Sequence, residues 1–102
     1  MAYPPPPNHV GDNIQTKHPD GTTHRHTILD EIHIYQRGSK RKLIYLQKIK
    51  RSRGREELRL GYFIIGKKPA MRGRWVWGQY ATFLPASDLR RIIKMAKKKG
   101  WL

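Results

Sequence analysis

The sequence predicts an α+β fold: a four-stranded antiparallel β-meander, then one C-terminal amphipathic helix, preceded by a flexible N-terminal arm. Three observations carry that expectation. Apolar and polar residues alternate through four stretches between residues 27 and 84, the period of a half-buried strand. The connections between the stretches are short and contain glycine, as hairpins require. The last stretch changes to apolar residues at i, i+3, i+4 and i+7, which is one face of a helix. A chain of 102 residues supports a single domain with a single core.

Residues 1–26 are expected to be a largely irregular arm. Pro4 to Pro7 favour polyproline II and cannot donate to a sheet. Gly11, Asp12 and Asn13, then His18, Pro19, Asp20 and Gly21, are turn and loop residues. A proline-rich arm is a potential ligand for an aromatic groove, but no flanking motif of such ligands accompanies it. An unstructured or loosely docked leader is the expectation.

Residues 27–102 are the expected β-β-β-β-α domain. TILDEIHIYQR (27–37) sets Ile28, Asp30, Ile32 and Ile34 against Leu29, Glu31, His33 and Tyr35. After the turn 37–40, RKLIYLQKIKR (41–51) places Leu43, Tyr45 and Ile49 on one side, Ile44 and Leu46 on the other. Ser52, Arg53 and Gly54 turn the chain into EELRLGYFIIG (56–66), rich in β-branched and aromatic residues. Lys67 to Gly73 is a loop, and GRWVWGQYATFL is the fourth strand, with Trp75 and Trp77 on one face. In PASDLRRIIKMAKKKGWL, Leu89, Ile92, Ile93 and Ala96 make the apolar helical stripe. Pro85 and Asp88 suit the helix start, Lys97 to Lys99 its end, Gly100 the C′ position, and Trp101 a return onto the last turn.

Apolar residues occupy both faces of every strand, yet one helix is about half as wide as four strands. A second copy of the chain, a nucleic acid or the arm must therefore cover the other face. Homodimerisation is expected on this ground, since a large exposed apolar patch is an association site.

Charge is the other strong signal. The chain has 22 Lys and Arg against 7 Asp and Glu, a net +15. Residues 37–74 alone carry 14 basic and 2 acidic groups. Such a balance describes partners rather than fold, and nucleic acid is the expected one. Cysteine is absent, which excludes a disulfide frame and a Cys-based zinc site. MAYPPPPNHV has neither the basic start nor the apolar run of a secretory signal. No apolar stretch approaches the ~20 residues of a membrane span. A cytoplasmic protein without a membrane partner is expected, nucleoid-associated if DNA is bound.

Two basic loops are the candidate interface. Lys48, Lys50, Arg51, Arg53 and Arg55 surround one turn; Lys67, Lys68, Arg72 and Arg74 precede Trp75 and Trp77. Cations attract phosphate, and bases stack on exposed aromatic faces for roughly 1–3 kcal/mol each. Tyr62 and Tyr80 are further stacking candidates, while core packing is the competing role of the two tryptophans. Arg90, Arg91, Lys94, Lys97 and Lys98 read as a solvated helix face. His18, Asp20, His24, His26, Asp30, Glu31 and His33 are metal-ligand types and raise a metal-dependent nuclease as a rival function. Their spacing matches no motif with a fixed mechanism, so neither a catalytic set nor a metal site is assigned. Nothing in the sequence implies a cofactor.

Four strands followed by a helix, basic strands, and the strand-to-helix passage TFLPASDLRRI resemble the positive-cofactor-four and Whirly class of single-stranded nucleic-acid-binding domains. The resemblance covers residues 27–102. It implies a dimer formed largely through helices and strands whose loops bind exposed single strands. The arm and the pair Trp75 and Trp77 depart from that pattern. The expected function is non-enzymatic binding of single-stranded DNA or RNA. The same basic surface is compatible with binding duplex DNA or structured RNA, and with assembly onto a ribonucleoprotein or an acidic protein.

Overall fold

The computed structural model describes residues 3–51, 54–78 and 81–102. Five strands form one antiparallel sheet in the order β1 to β5: β1 (Asn13–Lys17), β2 (Thr23–Tyr35), β3 (Lys42–Arg51), β4 (Glu56–Ile65) and β5 (Trp75–Trp77). A short 3-10 turn (Pro69–Met71) precedes β5, and α1 (Ala86–Lys98) follows it. The α+β meander with a C-terminal helix is therefore present, with five strands rather than four.

The extra strand lies inside the expected arm. Asn13, Gln15 and Lys17 alternate with Ile14 and Thr16, and a β-turn at His18–Gly21 returns the chain to pair with Thr23–Thr27. Gly21 has a φ of 91°, a left-handed conformation that glycine adopts without a Cβ clash. The turn residues were visible in the sequence, but one isoleucine in a polar run gave no apolar alternation to mark β1. The fourth expected strand is shorter than its sequence suggested: β5 holds three residues, and Gln79 and Tyr80 lie outside the described residues.

In β2 the register shifts between Ile28 and Asp30. A bulge of this kind bends the strand and increases its twist, and the sheet curves into a half-barrel. One face packs on α1. Ile32, Ile34, Ile44 and Leu46 meet Ile92 and Ala96, with Tyr62, Leu84, Met95 and Trp101 around them. Gly100, with a φ of 76°, closes the helix: the Trp101 and Gly100 N–H groups donate to the Ala96 and Lys97 carbonyls, each at 3.0 Å. This Schellman arrangement turns Trp101 back onto the core, as the sequence suggested.

Asp88 does more than favour the helix dipole. It is fully buried, and its carboxylate accepts the Arg37 backbone N–H at 2.8 Å and an Arg91 guanidinium N–H at 3.2 Å. The start of α1 is thereby pinned to the β2–β3 turn. At the other end Lys99 donates to Asp30 at 2.9 Å, and that bond holds the Asp30 carboxyl below its usual range.

The second face carries Leu43, Tyr45 and Phe63, with Trp75 and Trp77 packed against them. Here the arm supplies the cover. His9 stacks on Phe63 with centroids 5.6 Å apart, and its backbone N–H donates to Glu31 at 2.9 Å. The Trp75 indole N–H donates to the Pro4 carbonyl at 2.8 Å, and the Tyr45 hydroxyl to the Pro7 carbonyl at 2.6 Å. Of the three occupants the sequence allows, the arm is thus in place over this face.

Candidate nucleic-acid interface

A meander puts alternate turns at opposite ends of its sheet, and this divides the two basic loops. The connection from β3 to β4, between Arg51 and Glu56, lies at one end. The 66–74 loop joins β4 to β5 at the other, roughly 30 Å away along ten-residue strands. Lys48, Lys50, Arg51 and Arg55 are therefore not brought together with Lys67, Lys68, Arg72 and Arg74. Arg53 lies outside the described residues.

The two ends also differ in compensation. Lys48 pairs with Glu56 at 3.0 Å, and Arg51 with Glu57 at 3.1 Å. At the far end Arg41, from the β2–β3 turn, and Gly66, Lys67, Arg72 and Gly73 of the loop line one hollow. The Ile65 N–H at the end of β4 donates to the Arg41 carbonyl at 3.0 Å, and the Gly66 N–H closes the loop on the Arg74 carbonyl at 2.9 Å. Arg37, Lys40 and Arg41 join Lys67, Lys68, Arg72 and Arg74 there, all seven exposed. Residues 36–42 and 66–74 contain no carboxylate. Among the described residues none of the seven forms an ion pair.

Aromatic rings stand beside these cations. Tyr3 and Tyr35 each lie 6.4 Å from Trp75 between centroids, one edge-on and one tilted. Tyr35 is exposed and Trp75 half-buried. Arg41 donates through Nε to the Tyr3 hydroxyl at 2.7 Å. Tyr3, Arg41, Lys67 and Arg72 help line a hollow of about 620 Å³. Sequence reasoning did not single out Arg37, Lys40, Arg41, Tyr3 and Tyr35 for this surface. The signal for the first three was available, because the β2–β3 and β4–β5 turns of any meander share an end.

Trp77 has a different setting. Its ring lies against Gly61, where a Cβ would approach it to 2.1 Å. Phe63 meets it edge-on at 5.0 Å, and the Arg59 guanidinium sits over it at 4.3 Å. Arg59 in turn donates to Gln47 at 3.0 Å, and Gln47 donates to Glu31 at 3.0 Å. Both ends of the buried Gln47 amide are thus satisfied, and burial lowers the Arg59 pKa, with Glu31 opposing. Trp75 and Trp77 share a face, as expected, but the neighbours of Trp77 are the walls of the core. Tyr62 lies on the opposite, helix-bearing face, with Lys42 over its ring at 5.0 Å.

His18, His24 and His26 lie at the β1–β2 end, whereas His33 sits further along β2 opposite Tyr45. His18 and His24 meet edge-on at 4.6 Å, while His26 is buried. Among the described residues no three His, Asp or Glu side chains gather as metal ligands would. Nor, among those residues, is any helix long and apolar enough to cross a membrane. No family model, curated protein or solved structure matches the chain.

Proposed function

We propose that this protein binds single-stranded nucleic acid at the end of the sheet formed by the β2–β3 turn and the 66–74 loop. The observation that carries the reading is seven exposed cations, without a carboxylate in either segment, beside the Tyr3, Tyr35 and Trp75 rings. Arg37, Lys40, Arg41, Lys67, Lys68, Arg72 and Arg74 would hold phosphates. Exposed Tyr35, and Trp75 beside it, would stack unpaired bases, which duplexes do not offer. The β3–β4 end, where Lys48 and Arg51 pair with Glu56 and Glu57, contributes less. Homodimerisation belongs to the same proposal: Leu58, Leu60 and Ile64 stay exposed on the helix side of β4, and a second copy would cover them.

Fluorescence anisotropy with a labelled 20-nucleotide single strand, at several salt concentrations, tests the site. The double variant Lys67→Glu, Arg72→Glu should lose about a hundredfold in affinity, since charge-assisted hydrogen bonds contribute ~1.5–3 kcal/mol each. Its slope of log affinity against log salt should flatten by about 1.4, at ~0.7 per phosphate contact on a single strand. Lys50→Glu, Arg55→Glu should lose less than about threefold, if the end of the sheet that Glu56 and Glu57 partly compensate makes no direct phosphate contact. Equal losses in the two variants would move the interface, equal competition by a duplex would favour duplex binding, and no binding would end the proposal.

A further inference from the structure

The arm is held by a pattern with its own specificity. Proline fixes φ near −65°, and a residue that precedes proline is driven to extended or polyproline II conformation. Pro4, Pro5 and Pro6 meet both conditions. A polyproline II helix has three residues per turn and no internal hydrogen bonds, so its carbonyls seek outside donors. Pro4 and Pro7 are one full turn apart, and their carbonyls leave the same side. Each meets an aromatic donor: the Trp75 indole for Pro4 at 2.8 Å, the Tyr45 hydroxyl for Pro7 at 2.6 Å.

The donors are well suited to this work. An indole N–H can only donate. The Tyr45 hydroxyl, like any phenol, is protonated at neutral pH, and burial, and secondarily Glu31 and Tyr35, push its pKa further up. The rings themselves are fixed: Tyr45 meets Phe63 edge-on at 4.9 Å and stacks with His33 at 5.0 Å. Two rigid aromatic donors reading carbonyls one turn apart are the elements of polyproline II recognition, in which a preformed ligand docks on an aromatic surface at low entropic cost.

We propose that this face of the sheet is a receptor for proline-rich segments, occupied here by the chain's own arm, and that it takes a Pro-x-x-Pro peptide in trans when the arm lifts. The missing flanking motif of the arm is explained, because a ligand tethered to its receptor needs little sequence-coded affinity. A short tether gives an effective concentration on the order of mM, which the intact arm sets against any incoming peptide. Pro4 and Pro5 remain exposed, so the seated arm is not locked beneath other structure. The inference goes beyond nucleic-acid binding and does not depend on it.

The test uses the full-length chain without nucleic acid, reading the Trp75 indole N–H by NMR. A variant with Pro4, Pro5, Pro6 and Pro7 all changed to Gly loosens the arm. Adding the peptide Tyr-Pro-Pro-Pro-Pro-Asn should move that resonance saturably toward its position in the wild-type chain. In the wild-type chain, where arm and peptide give the indole the same partner, a spin-labelled copy of the peptide should need at least tenfold higher concentration to broaden that resonance half-maximally, and Tyr45→Phe added to the loosened variant should weaken peptide binding about tenfold. The peptide Tyr-Gly-Gly-Gly-Gly-Asn should do nothing. An unmoved resonance, or equal binding of the glycine peptide, overturns the proposal. Should the loosened variant unfold, the wild-type chain decides: a spin-labelled copy of the peptide at tens of mM must broaden the Trp75 indole resonance as it replaces the arm, and no broadening overturns the proposal.

Discussion

The two faces of the sheet are closed by different physics. On the helix face the contact is aliphatic and wide: Ile44, Ile92 and Ala96 have at most 1 % of their surface exposed, and the ion-assisted bonds of Asp88 and Lys99 lie at the two ends of α1. On the arm face an irregular segment meets rings and polar groups, through bonds from Trp75 and Tyr45 and the Glu31, Gln47 and Arg59 chain. Apolar burial stabilises in proportion to area. A neutral hydrogen bond contributes a net ~0.5–1.5 kcal/mol but fixes geometry closely. The helix is therefore a structural closure, and the arm a positioned cover that a competitor can replace.

The largest expected effect lies on the helix face. Ile92→Ala should destabilise the fold by roughly 2–5 kcal/mol, the transfer loss plus an unfilled cavity beneath α1. Urea denaturation followed by far-UV circular dichroism measures it. A loss smaller than that of any single change on the arm face would reverse the comparison.

Much of this arrangement was legible because its determinants are local. Alternation in 41–51 assigned Leu43 and Tyr45 to one face and Ile44 and Leu46 to the other, and the register of β3 agrees. The spacing of Ile92 and Ala96, with Gly100 after them, marked the helix and its end. What failed to show depends on distant partners. β1 becomes a strand only because Thr23–Thr27 lies beside it, and β5 stops at Trp77 although the apolar pattern runs on to Leu84. The docking of Pro4 and Pro7 needs Trp75 and Tyr45, which are far away in sequence. For the interface, the basic residues were evident, but grouping them by loop concealed that the chain separates one loop from the other and that, among the described residues, ion pairs form at only one.

The next effect concerns the join between the helix face and the basic end. Asp88→Ala should cost about 1–3 kcal/mol, because it leaves the Arg37 N–H without its acceptor in a site closed to water. Asp88→Asn keeps an acceptor of the same shape and should cost less. Urea midpoints of the two variants check the order. Equal losses would show that the charge, rather than the acceptor, holds the turn.

On the arm face, Tyr45→Phe removes one donor and leaves the ring. The expected loss is ~0.5–1.5 kcal/mol, well below that of Ile92→Ala. The Pro7 carbonyl it serves lies in a half-buried arm residue, so water can partly replace the hydroxyl. A loss above ~3 kcal/mol would mean that the arm is as integral to the fold as the helix.

The smallest effect is one of pH, and it too separates the regions. His26 is buried on the arm side of the sheet between Ile14 and Arg51. Burial first, then the Arg51 charge, lowers its pKa below the ordinary 6.5, while Glu57 opposes the shift. The unfolded chain takes up this proton near 6.5 and the folded chain resists it, so below that pH the unfolded state binds more protons. Stability therefore declines as pH falls from about 6.5 toward the folded-state value, then levels. Asp30 behaves oppositely in origin and later in pH: the Lys99 bond lowers its pKa from 3.8, so its contribution is intact above that range and fades only in stronger acid. Urea titrations at pH 8, 6 and 5 should show the wild-type chain losing stability across the window and His26→Gln losing less. Identical slopes in the two proteins would place the proton uptake elsewhere and leave the buried imidazole a spectator. A flattened slope would show that mild acid weakens the arm side of the sheet while the Lys99–Asp30 bond on the helix side still holds.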